Sequence, residues 1–194
     1  MCMEGNNIDI IGAEKFIKNF FRCLNINLPS ETPGRFCKMI YELTTYQNIS
    51  NKEIADTVNK TFEIDCHTNS KNMVTIKDIN AFSLCEHHVA LMYDMKVTVS
   101  YVPNGFVLGF SKIVRMVDMV CKRLQLQEKI TSDVFEIMNI LTKSNDVAVL
   151  IKAKHSCVTA RGVCNVSAET VSTIFGGEFS KSDELKALFL HNLK

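Results

Sequence analysis

Hydrophobic positions in the first third of the chain recur at helical spacing. Residues 10–24 carry Phe16, Ile17, Phe20, Phe21 and Leu24 on one face, which predicts an amphipathic helix ended by the polar stretch 25–30. Thr32-Pro33 opens a second helix, since Thr can cap and Pro is tolerated in a first turn. That helix turns Phe36, Met39, Ile40 and Leu43 inward and leaves Arg35 and Lys38 on another face. A short helix is predicted over 51–62 on Ile54 and Val58, followed by a polar loop over 65–72 in which His67 is an exposed histidine.

The period then changes. Val74 and Ile76 alternate with Thr75 and Lys77, and Ile79 and Phe82 lead into Cys85, a strand pattern. Val97, Val99 and Tyr101 alternate with Thr98, Ser100 and Val102; Pro103-Asn104-Gly105 turns, and 106–110 is expected to return as the hairpin partner. Helical spacing resumes from Ser111 to about Leu124, with Val114, Val117 and Val120 or Cys121 inward. It continues over 127–143 with Ile130, Val134, Ile137, Met138 and Leu141. An apolar strand over 147–153, a Thr- and Ser-rich strand ending at Phe175, a Gly176-Gly177 break and a helix over 183–193 complete the chain. The pattern is α+β: an antiparallel sheet with paired helices, preceded by an N-terminal helical segment over 1–70.

Composition narrows what such a chain can do. At 194 residues, 46% hydrophobic and 22% charged, it is long enough for a substantial core. A net charge of +1 argues against broad nucleic-acid binding. No apolar run approaches a membrane span and no signal-peptide core is visible, so a cytoplasmic protein without a membrane partner is expected. The short N-terminus is expected to carry no regulatory extension. The 8 cysteines follow no framework of spacings, so free thiols are expected. Cys23, Cys37 and Cys121 lie in apolar helical stretches and read as core fillers, whereas Cys2, Cys66 and Cys164 receive no assignment.

The densest chemistry is Cys85-Glu86-His87-His88. Cys85 and His88 have C-x-x-H spacing, and Cys157 follows the strand that ends at His155. These three would ligate Zn²⁺ and leave a position open for water, with His87 and His155 as spare imidazoles for proton transfer. Residue types alone leave a second reading open, in which both thiols are small buried hydrophobes at strand ends. An anion site is expected where a helix opens at Ser111, with Lys112 and Arg115 beside it; a capping Ser with surface cations is the competing reading. There is no P-loop motif.

Four blocks decide between these readings: Ser83-Leu84-Cys85-Glu86-His87-His88, Leu108-Gly109-Phe110-Ser111-Lys112, Gln125-Leu126-Gln127-Glu128, and His155 through Gly162. In this order and at these separations, with the segment 33–39, they resemble the GTP cyclohydrolase I family over most of the chain. The resemblance implies a tunnelling fold, with 71–194 as the catalytic domain. It implies a homo-oligomer of two stacked pentamers with active sites between subunits. It also implies conversion of GTP and water to formate and 7,8-dihydroneopterin triphosphate. By the same resemblance Cys85, His88 and Cys157 hold Zn²⁺, His87 and His155 move protons, and Glu128 with Gln127 positions the guanine. Ser111, Lys112, Arg115 and Arg161, joined by Arg35 and Lys38 from a neighbour, hold the triphosphate. The segment 89–96 runs one residue longer than the family's usual one and lacks its Gly. Other tunnelling-fold chemistry on a pterin or deazapurine, and a zinc-stabilised assembly without turnover, are the alternatives.

Overall fold

The computed structural model describes residues 8–63 and 72–193. Cys2, Cys66, His67 and nearly all of the expected 65–72 loop lie outside the described residues. The chain divides into two compact units, Met1–Thr44 and Thr45–Lys194. The expected boundary at residue 70 differs from this one because the helix after residue 50 buries its apolar face in the second unit.

The first unit is a helix pair, α1 (Ile10–Cys23) and α2 (Thr32–Leu43). Asp9 caps α1 by accepting from the Gly12 N–H at 2.8 Å. Thr32 stands inside α2, whose N-cap is Glu31, so the expected Thr cap is not formed. The apolar face expected of α1 is largely exposed: no α1 residue is buried, Phe16 is 68% and Leu24 54% accessible. Cys23 is exposed as well, not a core filler. Two helices share one seam, and one seam covers only part of each apolar face.

The second unit runs α3 (Asn51–Val58), β1 (Thr61–Glu63), β2 (Val74–Cys85), β3 (Ala90–Tyr101) and β4 (Phe106–Leu108). It continues with α4 (Phe110–Cys121), α5 (Gln127–Thr142), β5 (Val147–His155), α6 (Ser156–Thr159), β6 (Thr170–Phe175), α7 (Gly177–Lys181) and α8 (Asp183–His191). Ser50 and Glu53 form a reciprocal capping box that starts α3. Strands β2, β3, β5 and β6 make an antiparallel sheet in the order β2-β3-β5-β6. The expected hairpin between β3 and the 106–110 segment is corrected: β4 pairs with β1 in a separate two-stranded ribbon. Residues 103–105 carry the chain off the sheet, and the Leu108 N–H donates to Tyr101 Oη at 3.0 Å. The tail of the helix expected over 51–62 is instead β1, which supplies that ribbon's other strand.

One sheet face, with Val97, Val99, Tyr101, Val149 and Ile151, packs on Ile113, Met116, Val117, Val120, Ile130, Val134, Ile137 and Met138 of α4 and α5. Val114, expected inward, is 43% exposed, and Ile113 and Met116 take its place. Behind β5, Ala148 and Leu150 meet Phe179, Leu185 and Phe189 of the C-terminal helices in a second small core. Strand β5 is therefore buried on both faces, which its uninterrupted apolar run requires.

The segment 89–96 carries a β-bulge. Tyr93 and Asp94 oppose Phe82 alone on one side, and Asp94 and Met95 oppose Ala153 alone on the other. Asp94 takes the left-handed conformation at φ 49° and pairs with Lys154 at 3.2 Å.

The α4–α5 connection is pinned by a buried guanidinium. Arg123 pairs with Asp133 at 2.9 Å and donates to Asn51 Oδ1 at 2.8 Å and to the main-chain oxygens of Ile49 and Tyr46 at 2.6 and 3.3 Å. Ser83 Oγ donates to the Arg123 oxygen at 3.2 Å, and the Gln125 N–H donates to the Leu84 oxygen at 3.2 Å. The connection is thus fastened beside Cys85. Removing one member of a buried pair leaves the other charge unmet, at about 3–5 kcal/mol. Asp133→Ala should lower the urea midpoint by about 3 kcal/mol of stability at unchanged m-value; a loss below about 0.5 kcal/mol would mean that the pair contributes no more than a surface bridge.

Candidate active site

Cys85 is the last residue of β2 and pairs with Ala90 across a four-residue turn, Glu86 to Val89, in which Val89 adopts φ 52°. The turn ends the β2–β3 hairpin. Because β3 also pairs with β5, the register that sets Met92 opposite His155 brings the end of β5 to the same edge. Helix α6 follows at once and carries Cys157. It is tied down by Ser156 Oγ donating to the Leu91 oxygen at 2.8 Å and by Tyr93 Oη donating to Thr159 Oγ1 at 2.9 Å. The first turn of α5 brings Gln127 and Glu128 to this edge.

Electrostatics report how close these groups are. Burial pushes the Cys85 thiol up, the His87 N–H opposes this, and the charges of Cys157, Glu86 and Glu128 add to the rise. Burial pushes His155 down, and the Glu128 carboxylate opposes that shift. Glu128 therefore acts on the end of β2 and the end of β5 alike. Its side chain is exposed, as are His87 and His88, while Cys157 is half-buried.

Two thiols and an imidazole form a donor set suited to Zn²⁺. Among the described residues, however, no three His, Cys, Asp or Glu side chains stand close enough together to hold a metal ion. The imidazole against Cys85 is that of His87, Nδ1 to Sγ 3.9 Å, with the His88 ring edge-on to His87 at 6.3 Å. By the chemistry of its donors the site fits the metal.

Gln127 departs from its expected place against a substrate base. It is buried, and its amide is used within the protein: Nε2 donates to the Ile151 and Thr170 oxygens and to Ser172 Oγ, each at 3.1 Å, and Oε1 meets His155 Nε2 at 2.8 Å. Ser111 does not cap α4; the N-cap is Gly109, and Ser111 is the second helical residue. Ser111, Arg115 and Arg161 are exposed and Lys112 is half-buried. In the first unit Arg35 pairs with Glu31, and Lys38 with Glu42 at 3.9 Å. The supports Tyr93, Thr159, Thr131 and Ser172 escaped sequence reasoning, because a lone hydroxyl in a strand or helix carries no periodic signal.

Comparison with known proteins places the sequence in a family. The family model described as GTP cyclohydrolase I matches residues 14–194. A "GTP cyclohydrolase 1" of Clostridium acetobutylicum is 44% identical over 184 residues, 92% of this chain and 94% of that one. Those of Clostridium beijerinckii and Ruminiclostridium cellulolyticum are 48% and 49% identical, each covering 80% of both chains. Among solved structures, an archaeosine synthase QueF-Like protein aligns at 24% identity and a TM-score of 0.41, over 54% of this chain and 95% of that one.

The thiols differ in availability. Burial pushes Cys121 up to about 12, with Asp118 adding to the rise. At pH 8 its thiolate fraction is about 10⁻⁴. Cys121 should therefore stay unmodified by a disulfide reagent in the folded protein and react on denaturation; mass-mapped labelling of native Cys121 would contradict its placement in the core.

Proposed function

The chain belongs to the GTP cyclohydrolase I family and has that family's activity, conversion of GTP and water to formate and 7,8-dihydroneopterin triphosphate, and from this premise we propose how its residues divide the work. The observation that supports the assignment is the register that brings Cys85 at the end of β2, His155 at the end of β5 and the first turn of α5 to one edge of the sheet.

Cys85, His88 and Cys157 would hold the zinc ion, which when bound supplies a Lewis acid that makes water acidic near neutral pH. His155 and His87 carry protons to and from the ring nitrogens as water adds at C8 of guanine, the ring opens and formate leaves. Glu128 accepts two parallel hydrogen bonds, from the ring N–H and the exocyclic amine of guanine. Ser111, Lys112, Arg115 and Arg161, with Arg35 and Lys38 from a neighbouring copy, hold the triphosphate. Binding energy from that remote group then orients C8.

The complete site needs more than one copy. We infer a homo-oligomer of the tunnelling fold, two stacked pentamers, in the cytoplasm. Strands β2 and β6 are the outer strands of the sheet among the described residues; β2 is bridged at Leu84 by Leu124, and the rest of each edge is where another copy's strand can pair. A mass in solution of one chain would exclude this assembly. No helix among the described residues is long and apolar enough to cross a membrane.

Purified protein should contain about one zinc per chain and release a product whose oxidised form fluoresces. Cys157→Ala should lose both metal and turnover, while His87→Ala should keep the metal and lose turnover by roughly 10²-fold. Metal loss in His87→Ala with retention in His88→Ala would exchange the two imidazoles.

Base selection tests Glu128. Adenine presents a lone pair where guanine has its ring N–H, so a carboxylate facing it is left unmet. GTP should be preferred over ATP by at least ~10³-fold in kcat/KM, with inosine triphosphate between them. Glu128→Gln should abolish GTP turnover and leave zinc bound; parent-like turnover in that variant would withdraw the guanine role.

A further inference from the structure

The amide of Gln127 has its two ends set by different neighbours. Its nitrogen lies 3.1 Å from the main-chain oxygens of Ile151 and Thr170. Carbonyl oxygens only accept, so the group facing them is the NH₂, an orientation assigned from the network. The nearby hydroxyls agree. Thr131 Oγ1 donates to the Gln127 main-chain oxygen at 2.9 Å, so in its 2.6 Å contact with Ser172 Oγ the serine is the donor. Ser172 is then left with lone pairs for the Gln127 NH₂ at 3.1 Å. Every polar atom of this buried cluster has a partner of the right kind, and turning the amide over would set oxygen against oxygen at two carbonyls.

The opposite end, Oε1, is consequently an acceptor, and it stands 2.8 Å from His155 Nε2. An acceptor at that distance calls for a hydrogen on Nε2. We propose that Gln127 is a positioning residue which keeps the proton of His155 on Nε2, so that the ring exchanges protons with the substrate through Nδ1. This deepens the reading of His155 as a proton carrier and rests on it. The burial of Gln127, 1% accessible beneath the end of β5, suits a residue that orients a catalytic ring and does not touch the base.

The test is magic-angle-spinning NMR on the assembled, metal-loaded protein carrying ¹⁵N-histidine, at a pH above the imidazole range, with the His155 signals identified by their loss in His155→Asn. A protonated Nε2 and a bare Nδ1 are expected; a proton on Nδ1 with a bare Nε2 overturns the proposal. In a second arm Gln127→Leu should lower kcat by about 10- to 100-fold with KM unchanged. A raised KM at unchanged kcat would make Gln127 a substrate contact and also overturn it. If that variant does not fold, the reading on the unmutated protein decides alone. That reading is independent of turnover: the wrong tautomer in a protein that consumes GTP sinks this inference only, and the expected tautomer in a protein that does not consume GTP sinks the functional reading only.

Discussion

Antiparallel pairing of β3 with both β2 and β5 is the constraint on which everything else in the second unit depends. Main-chain hydrogen bonds on both edges of one strand set two registers together, and side chains alternate between faces with period two. A one-residue slip on either side would turn Val97, Val99 and Tyr101 out of the core. The bulge centred on Asp94 interrupts both ladders, with Tyr93 as its second residue toward β2 and Met95 toward β5, while a further shift between Ile76 and Ile79 belongs to the β2 side alone. Below the bulge, the turn after Cys85 and the end of β5 face each other. Groups as distant in the chain as Tyr93 and Thr159, 66 positions apart, then touch and hold α6 in place.

Helix α5 is set against that sheet edge by polar groups in an apolar interior. Such groups are costly when unmet, and their placement is correspondingly specific. On one side Arg123 and Asp133 bind the start of α5 to α3 and to the connection running beside Ser83 and Leu84. On the other, the Gln127 amide reaches main-chain oxygens of β5 and β6 as well as His155. Held from two directions, the first turn presents Glu128 at the sheet edge where β2 and β5 end. The carboxylate itself stays exposed.

The helix pair at the N-terminus follows a different logic. Its apolar residues are spaced for burial, yet Ile11, Phe16, Phe20 and Leu24 stand largely in solvent within their own unit. A sequence pattern records that a face is meant to be covered. It does not record by what.

Local patterning made most helices and strands of this chain legible, because periodicity and caps act over a few residues: α1, α5, β2 and β5 all lie close to where spacing puts them. The Cys85-Glu86-His87-His88 and His155-Ser156-Cys157 clusters were visible as chemistry for the same reason, as runs of rare residue types. Partnerships were not. That β4 pairs with β1, that 89–96 carries a bulge, and that Asp133 answers Arg123 depend on contacts distant in the chain, for which short-range order carries no signal. Gln127 marks the division most sharply. Its neighbours in sequence single it out as a site residue, but only the folded chain, by surrounding its NH₂ with carbonyl oxygens and turning its oxygen toward His155, decided which way that amide faces.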